Sequence, residues 1–170
     1  MENQANNKKI WYVILTAVII FAVCIIGILL LFTNAKIEYE TIELEQNQTF
    51  NTEHAEITLV NTNQVAESDY TTQQITLTIK NTSNSEIYLN LVLFYNNIKL
   101  RYTKDENTYD YGIEKVYSNK TEIESLYNEK LQPLIAKTYT FYFTTPIEAT
   151  SFDLLIQDTV NFKIGKFKIN

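Results

Sequence analysis

The sequence predicts an all-β domain, a two-sheet β-sandwich, carried behind a single N-terminal transmembrane helix. Three observations predict it. Residues 10–32 form a run of 23 residues without a charge, and only Thr16 and Cys24 bring weakly polar atoms into it. Beyond residue 55, short stretches rich in β-branched and aromatic side chains alternate apolar with polar positions. Glycine and proline are scarce (Gly27, Gly112, Gly165, Pro133, Pro146), so asparagine clusters mark most of the turns.

At about 1.5 Å per residue, a helix over 10–32 spans roughly 34 Å, enough to cross the ~30 Å hydrocarbon core. Lys8 and Lys9 precede it, whereas Lys36 alone follows closely. Basic flanks stay in the cytoplasm, so residues 1–9 are expected to be a cytoplasmic tail, with residues 35–170 outside. The run is too long for a cleaved signal peptide, and no small-x-small site follows it. A lipoprotein signal places its cysteine after two small residues, and Cys24 follows Ala22 and Val23 with apolar chain continuing beyond. An uncleaved signal anchor fits best. Cys24 is the only cysteine, so no intramolecular disulfide can form, which suits an exported domain of a Gram-positive surface.

Residues 33–54 read as a juxtamembrane segment with room for a first strand, and 55–170 as the sandwich. Ile57 and Leu59 alternate with Thr58 and Val60; Ile75, Leu77 and Ile79 alternate with Thr76 and Thr78. Ile87, Leu89, Leu91 and Leu93 continue the pattern, and Tyr88, Val92 and Phe94 make the second face apolar too, predicting a central strand covered on both sides. Asn96-Asn97 then predicts a tight hairpin turn into Ile98, Leu100 and Tyr102, with Lys99 and Arg101 facing water. Tyr139, Phe141 and Phe143 alternate with Thr138, Thr140 and Tyr142; Phe152, Leu154 and Ile156 form a further strand. In the last strand the apolar phase of Val160, Phe162 and Ile164 slips by one before Phe167 and Ile169, which predicts a bulge at Gly165. Thr121 and Glu124 have capping-box spacing ahead of Leu126, Tyr127 and Leu131, so the stretch from Thr121 to Lys130 reads either as a short helix or as an irregular strand.

From about Glu56 onward the order of these features resembles an extracellular immunoglobulin-like family of Gram-positive lipoproteins and membrane-anchored proteins, related to a secreted mycobacterial immunogenic antigen. The matching residues are the strand from Gln74 to Lys80 running into Asn81-Thr82-Ser83, then Leu131-Gln132-Pro133, then Thr138 to Phe143 closing in Thr144-Thr145-Pro146, and Phe152 to Gln157. Leu134 stands where the family usually has glycine. The resemblance implies an immunoglobulin-like sandwich and brings no catalytic residues or cofactor with it.

The inventory for catalysis is thin. His54 is the only histidine, and the chain lacks G-x-S-x-G, a phosphate-binding loop or a cysteine cluster. Asp105, Asn107 and Asp110 offer hard oxygen ligands for calcium, but Tyr109 breaks the calcium-loop spacing. Tyr102, Tyr109, Tyr111, Tyr117 and Tyr127 fall close together, interleaved with Asn, Ser and Thr, as in binding loops. Residues 35–170 hold 12 basic and 19 acidic side chains, which disfavours nucleic acid and anionic lipid as partners. The expected function is a non-catalytic interaction module at a bacterial surface, binding another envelope protein or a wall component. An accessory subunit of a secretion or conjugation complex is the alternative, and a wall-polymer hydrolase the remote one.

Overall fold

The computed structural model describes residues 16–25 and 38–169. The chain divides into two units, Met1–Glu38 and Tyr39–Asn170. In the first, residues 16–25 are helical (α1) and exposed along their whole length. The rest of the predicted span (10–15 and 26–32) and the tail 1–9 lie outside the described residues. Among the described residues no helix is long and apolar enough to cross a membrane.

The second unit is built of β1 (Glu40–Leu44), β2 (Thr49–Asn51), β3 (Ala55–Ala66), β4 (Tyr70–Asn81), β5 (Ile87–Tyr88), α2 (Leu89–Tyr95), β6 (Asn96–Lys104), β7 (Asn107–Tyr111), β8 (Lys115–Ser118), β9 (Thr121–Glu122), β10 (Lys130–Leu131), β11 (Ala136–Pro146), β12 (Phe152–Asp158) and β13 (Lys163–Ile169). One sheet has the order β1-β13-β12-β6-β7, the other β2-β3-β4-β11-β8-β9, and β5 pairs with β10 as a small ribbon. All pairings are antiparallel except β1 with β13. Period-two alternation does the sorting. Ile75, Leu77 and Ile79 on β4 and Tyr139, Phe141 and Phe143 on β11 are buried against Leu100, Leu154, Ile156 and Phe167 of the facing sheet. Each such apolar side chain contributes on the order of 1.5–3 kcal/mol when fully buried. The predicted strands at 57–60, 75–79, 98–102, 138–143 and 152–156 are all present, and Lys99 and Arg101 do face outward.

Three predictions need correction. The chain after Tyr88 is the helix α2, not a central strand. Leu89 and Val92, three apart, are buried on one side, while Leu91 and Phe94 are exposed on the other. Asn96 fixes its end: both its backbone N–H and its Nδ2 donate to the Val92 carbonyl, so Asn96-Asn97 closes a helix and opens β6 instead of turning a hairpin. Of the two readings open for Thr121 to Lys130, the helical one fails. Thr121–Glu122 pairs with β8, and the carbonyls of Leu126 and Glu129 accept the N–H groups of Asn90 and Leu89, capping α2 from outside. Glu122, paired with Tyr117 across β8 and β9, accepts from the Tyr117 hydroxyl. Finally, β13 is regular at Gly165, which pairs with Ile156; the register shift lies in β3, between Leu59 and Asn61.

The sandwich has distinguishable ends. The chain enters at Tyr39, whose ring meets Phe162 at 5.8 Å, and the Glu40 N–H donates to the Phe162 carbonyl. The same end holds Tyr95, which accepts from Thr159 and lies against His54, and the end of β4 at Asn81, whose neighbour Thr82 donates to the His54 carbonyl. The far end holds the β6–β7 hairpin, with Tyr102 against Phe152 at the start of β12, and the Pro146 turn.

A candidate ligand-binding face

The outward side of the six-stranded sheet carries hydroxyls and amides where an exposed sheet usually carries charge. Register places Thr49, Thr58, Thr78 and Thr138 in one row across β2, β3, β4 and β11. The next rows run Asn61, Thr76, Thr140 and Tyr117, then Asn63, Gln74, Tyr142 and Lys115. Neighbours bond sideways: Thr49 to Thr58 at 2.8 Å, Thr78 to Thr138 at 3.0 Å, Thr76 to Thr140 at 3.3 Å, and Asn63 Nδ2 to Gln74 Oε1 at 3.3 Å. A bonded pair of hydroxyls still has one donor and three acceptor positions free, so the face keeps both kinds of hydrogen-bonding capacity.

A concavity of about 570 Å³ opens on this face, lined by Asn63, Gln74, Thr76, Thr140 and the tyrosine pair Tyr117 and Tyr142 among others. The two rings sit 4.7 Å apart, tilted by 48°. The Tyr117 hydroxyl donates to Glu122 at 2.9 Å, which raises its pKa and fixes the ring at the edge of the hollow. A second hollow of about 340 Å³ shares Gln74, Tyr117 and Tyr142 and continues toward Thr72 and Thr144. Charges stand at the rim in both signs: Lys115 pairs with Glu122 at 3.6 Å, and Glu114 accepts from Thr144 at 2.8 Å. Along β4 the first hollow spans Thr76 to Gln74, about 17–24 Å from Asn81 and near the middle of the strand, and the second reaches on to Thr72.

Chemically, such a surface suits a polyol. Hydroxyls and side-chain amides can both donate to and accept from it, and the electron-rich ring faces take up the weakly positive C–H side of a sugar ring. The first hollow has Lys120 as its one charged lining residue, and Glu67, Glu114 and Lys115 line the second. The fold is similar to that of an uncharacterised β-sandwich protein from Clostridium difficile, with 19% identity, a TM-score of 0.60, and coverage of 80% of this chain and 99% of that one. A protein from Enterococcus faecalis with a structure determined by NMR aligns at a TM-score of 0.49 and 8% identity over 74% of this chain and 92% of that one. No protein-family profile matches the chain, and no curated protein matches it. The likeness to the first protein carries the fold, a β-sandwich, and nothing about activity.

The structure scatters the five predicted tyrosines. Tyr102 and Tyr109 face each other across the β6–β7 hairpin with rings 6.4 Å apart, and Tyr102 and Tyr111 pack partly on the core. Tyr109 is the exposed member of that group. Tyr117 belongs to the other sheet, in the groove, and Tyr127 stands exposed in the loop before β10. The calcium candidates divide as well. Asp110 is engaged by Lys99 Nζ at 2.6 Å and by Arg101 Nε at 2.7 Å and Nη2 at 2.9 Å, while Asp105 and Asn107 sit at the hairpin tip, where Asn107 Nδ2 donates to the Asp105 carbonyl. Among the described residues no three Asp, Glu, His or Cys side chains converge as a metal site. Tyr142, Gln74 and Asn63 were not among the sequence candidates. Their signal was present as an outward strand face of Thr, Asn, Gln and Tyr, but it becomes a surface only when four strands align.

Proposed function

We propose that this chain is a membrane-anchored, extracytoplasmic, non-catalytic binding module whose groove takes an uncharged stretch of a cell-wall glycan. The observation that carries the reading is the hydroxyl- and amide-lined hollow of about 570 Å³ closed on one side by Tyr117 and Tyr142. Anchoring through residues 10–32 is supported by their uninterrupted apolar sequence and by the exposed apolar side chains of α1, Phe21 and Val23 among them. The second hollow, reaching toward Thr72 and Thr144, extends away from the chain's entry, which suits display outward from the membrane. The resemblance to the extracellular immunoglobulin-like family points the same way, as does the excess of lysine before the span, which orients the domain outside.

The test is co-sedimentation of the full chain, in detergent, with purified insoluble wall polysaccharide. Tyr142→Ala is expected to weaken binding about tenfold or more, as truncation of a buried aromatic anchor worth more than about 1.4 kcal/mol does. Tyr109→Ser, on the other sheet, should leave it unchanged. If the polysaccharide is ignored by both forms, the glycan reading is wrong. If Tyr109→Ser alone abolishes capture, the hairpin is the recognition element.

A further inference from the structure

The entry end of the sandwich carries a set of exposed apolar side chains that the groove does not use. Phe94 and Tyr127 are each 74% exposed, Leu134 63% and Phe162 45%, with Leu91 and Ile135 beside them in the chain. They come from four stretches of chain: α2, the loop before β10, the loop after it, and the loop before β13. Backbone and ring contacts hold these at the entry end: Leu134 donates its N–H to the Asn81 carbonyl, the Leu126 carbonyl receives the Asn90 N–H of α2, and Phe162 touches Tyr39.

Two of these residues hold their position against a backbone cost. Leu134 and Phe162 have φ of 59° and 53°, in the left-handed region that bulky L side chains avoid. The other positive-φ residues among those described are Asn47, Asp105, Glu106, Asn119 and Lys120, polar side chains suited to turns. Strain concentrated in two exposed apolar side chains at one end of a domain points to a use for that end.

Chain length says what the use is. Only residues 33–38 separate the apolar run ending at Phe32 from Tyr39, and seven steps of fully extended chain reach at most about 25 Å. We infer that this end of the sandwich seats on the surface of the bilayer, with Leu91, Phe94, Tyr127, Leu134, Ile135 and Phe162 entering the interfacial layer. Aromatic and aliphatic side chains partition into that layer in proportion to the apolar area they bury, and Tyr and Phe are at home there. The nearby charges Lys130 and Lys137 are paired with Glu86 and Glu129, and the acidic balance of the exported part favours a zwitterionic surface. Seating fixes the domain's orientation, so that the β6–β7 hairpin points away from the membrane and the groove stays open on the side of the sandwich.

The inference rests on the anchoring reading, and the experiment separates the two. The full chain, with Cys24→Ser, is reconstituted into phosphatidylcholine vesicles and carries one fluorophore, attached through Asn128→Cys at the entry end or through Lys104→Cys at the hairpin. Flotation after carbonate extraction reads anchoring. Quenching by headgroup-attached spin-labelled lipid reads seating. The expected result is retention by the vesicles, with quenching several-fold stronger at residue 128 than at 104, and loss of that difference when Leu91 and Phe94 are both replaced by Ser. Retention with equal and weak quenching at both positions overturns the seating inference alone. Extraction of the chain from the vesicles overturns the anchoring reading and the seating with it. Because both serines stand on the exposed side of α2, near-ultraviolet circular dichroism of the double variant checks that the fold is intact.

Discussion

At the scale of single residues, Gly165 has no room for a side chain. Its place on β13 faces inward between Ile42 and Ile156, and an added Cβ would meet the Phe50 ring at 2.6 and 2.8 Å. Phe50 is buried, so its ring has little room to turn aside. Gly165→Ala is therefore expected to destabilise the domain by about 1–3 kcal/mol, as overpacking of a core does. Urea unfolding reads it, and Phe50→Leu in the same chain should recover part of the loss through a coupling between the two sites. An unchanged midpoint for the single variant would show that the ring yields freely. This residue also explains a misreading of the sequence. A glycine in phase leaves a gap in an apolar pattern and imitates a bulge, because the ring that fills the gap comes from β2, far away in the chain.

At the scale of elements, the β6–β7 hairpin is held on its outer side by Asp110 between Lys99 and Arg101, a fork-shaped contact with the guanidinium plus a lysine. The Arg101 hydrogen bonds, foremost, and those from Lys99 pull the Asp110 pKa down from its ordinary 3.8 to about 2. The sign follows from linkage: a carboxylate with a lowered folded pKa adds stability that is complete above the unfolded value and is lost as pH falls through the folded one. The contribution is thus expected to be full above about pH 4 and to fade between about 4 and 2. Carboxyl NMR titration should place the Asp110 midpoint near 2, and Asp110→Asn should flatten that part of the stability profile. At neutral pH the same substitution should cost no more than about 1 kcal/mol, since the pair is partly solvated. A midpoint at the ordinary carboxylate value would remove the ion pair from the account. Elements such as β4, β6, β11 and β12 were legible in the sequence because one face of each is apolar and the other polar. Residues 87–95 were not: with apolar side chains on every side, helical and extended periods fit equally, and the deciding groups are the Asn96 side chain and carbonyls from residues 126 and 129. The stretch from Thr121 to Lys130, open between helix and irregular strand in the sequence, is non-helical where its Leu126 and Glu129 carbonyls cap α2.

At the scale of the whole molecule, the domain is polarised, with exposed apolar side chains around the chain's entry and a polar hairpin at the far end. The alternation of the strands made the existence of both faces readable, but not which loops share an end, since that depends on pairings such as β1 with β13 and on the seating of α2. Leu134 and Phe162 connect this polarity to energetics. A bulky residue in the left-handed region costs about 1–2 kcal/mol, and glycine gives back about 0.5–1 kcal/mol of that through the greater freedom of the unfolded chain. Leu134→Gly and Phe162→Gly are each expected to stabilise the domain by roughly 0.5–1 kcal/mol, and the two gains should add, because the residues sit in different loops. If the strain serves membrane seating, the double variant should unfold at higher urea while the fluorophore at residue 128 loses much of its quenching by lipid. Stability and seating then move in opposite directions, as they do where a strained conformation is kept for its use. A rise in stability with quenching unchanged would mean that the two backbones are strained for no purpose at the membrane, and that the remaining side chains of α2 hold the domain there unaided.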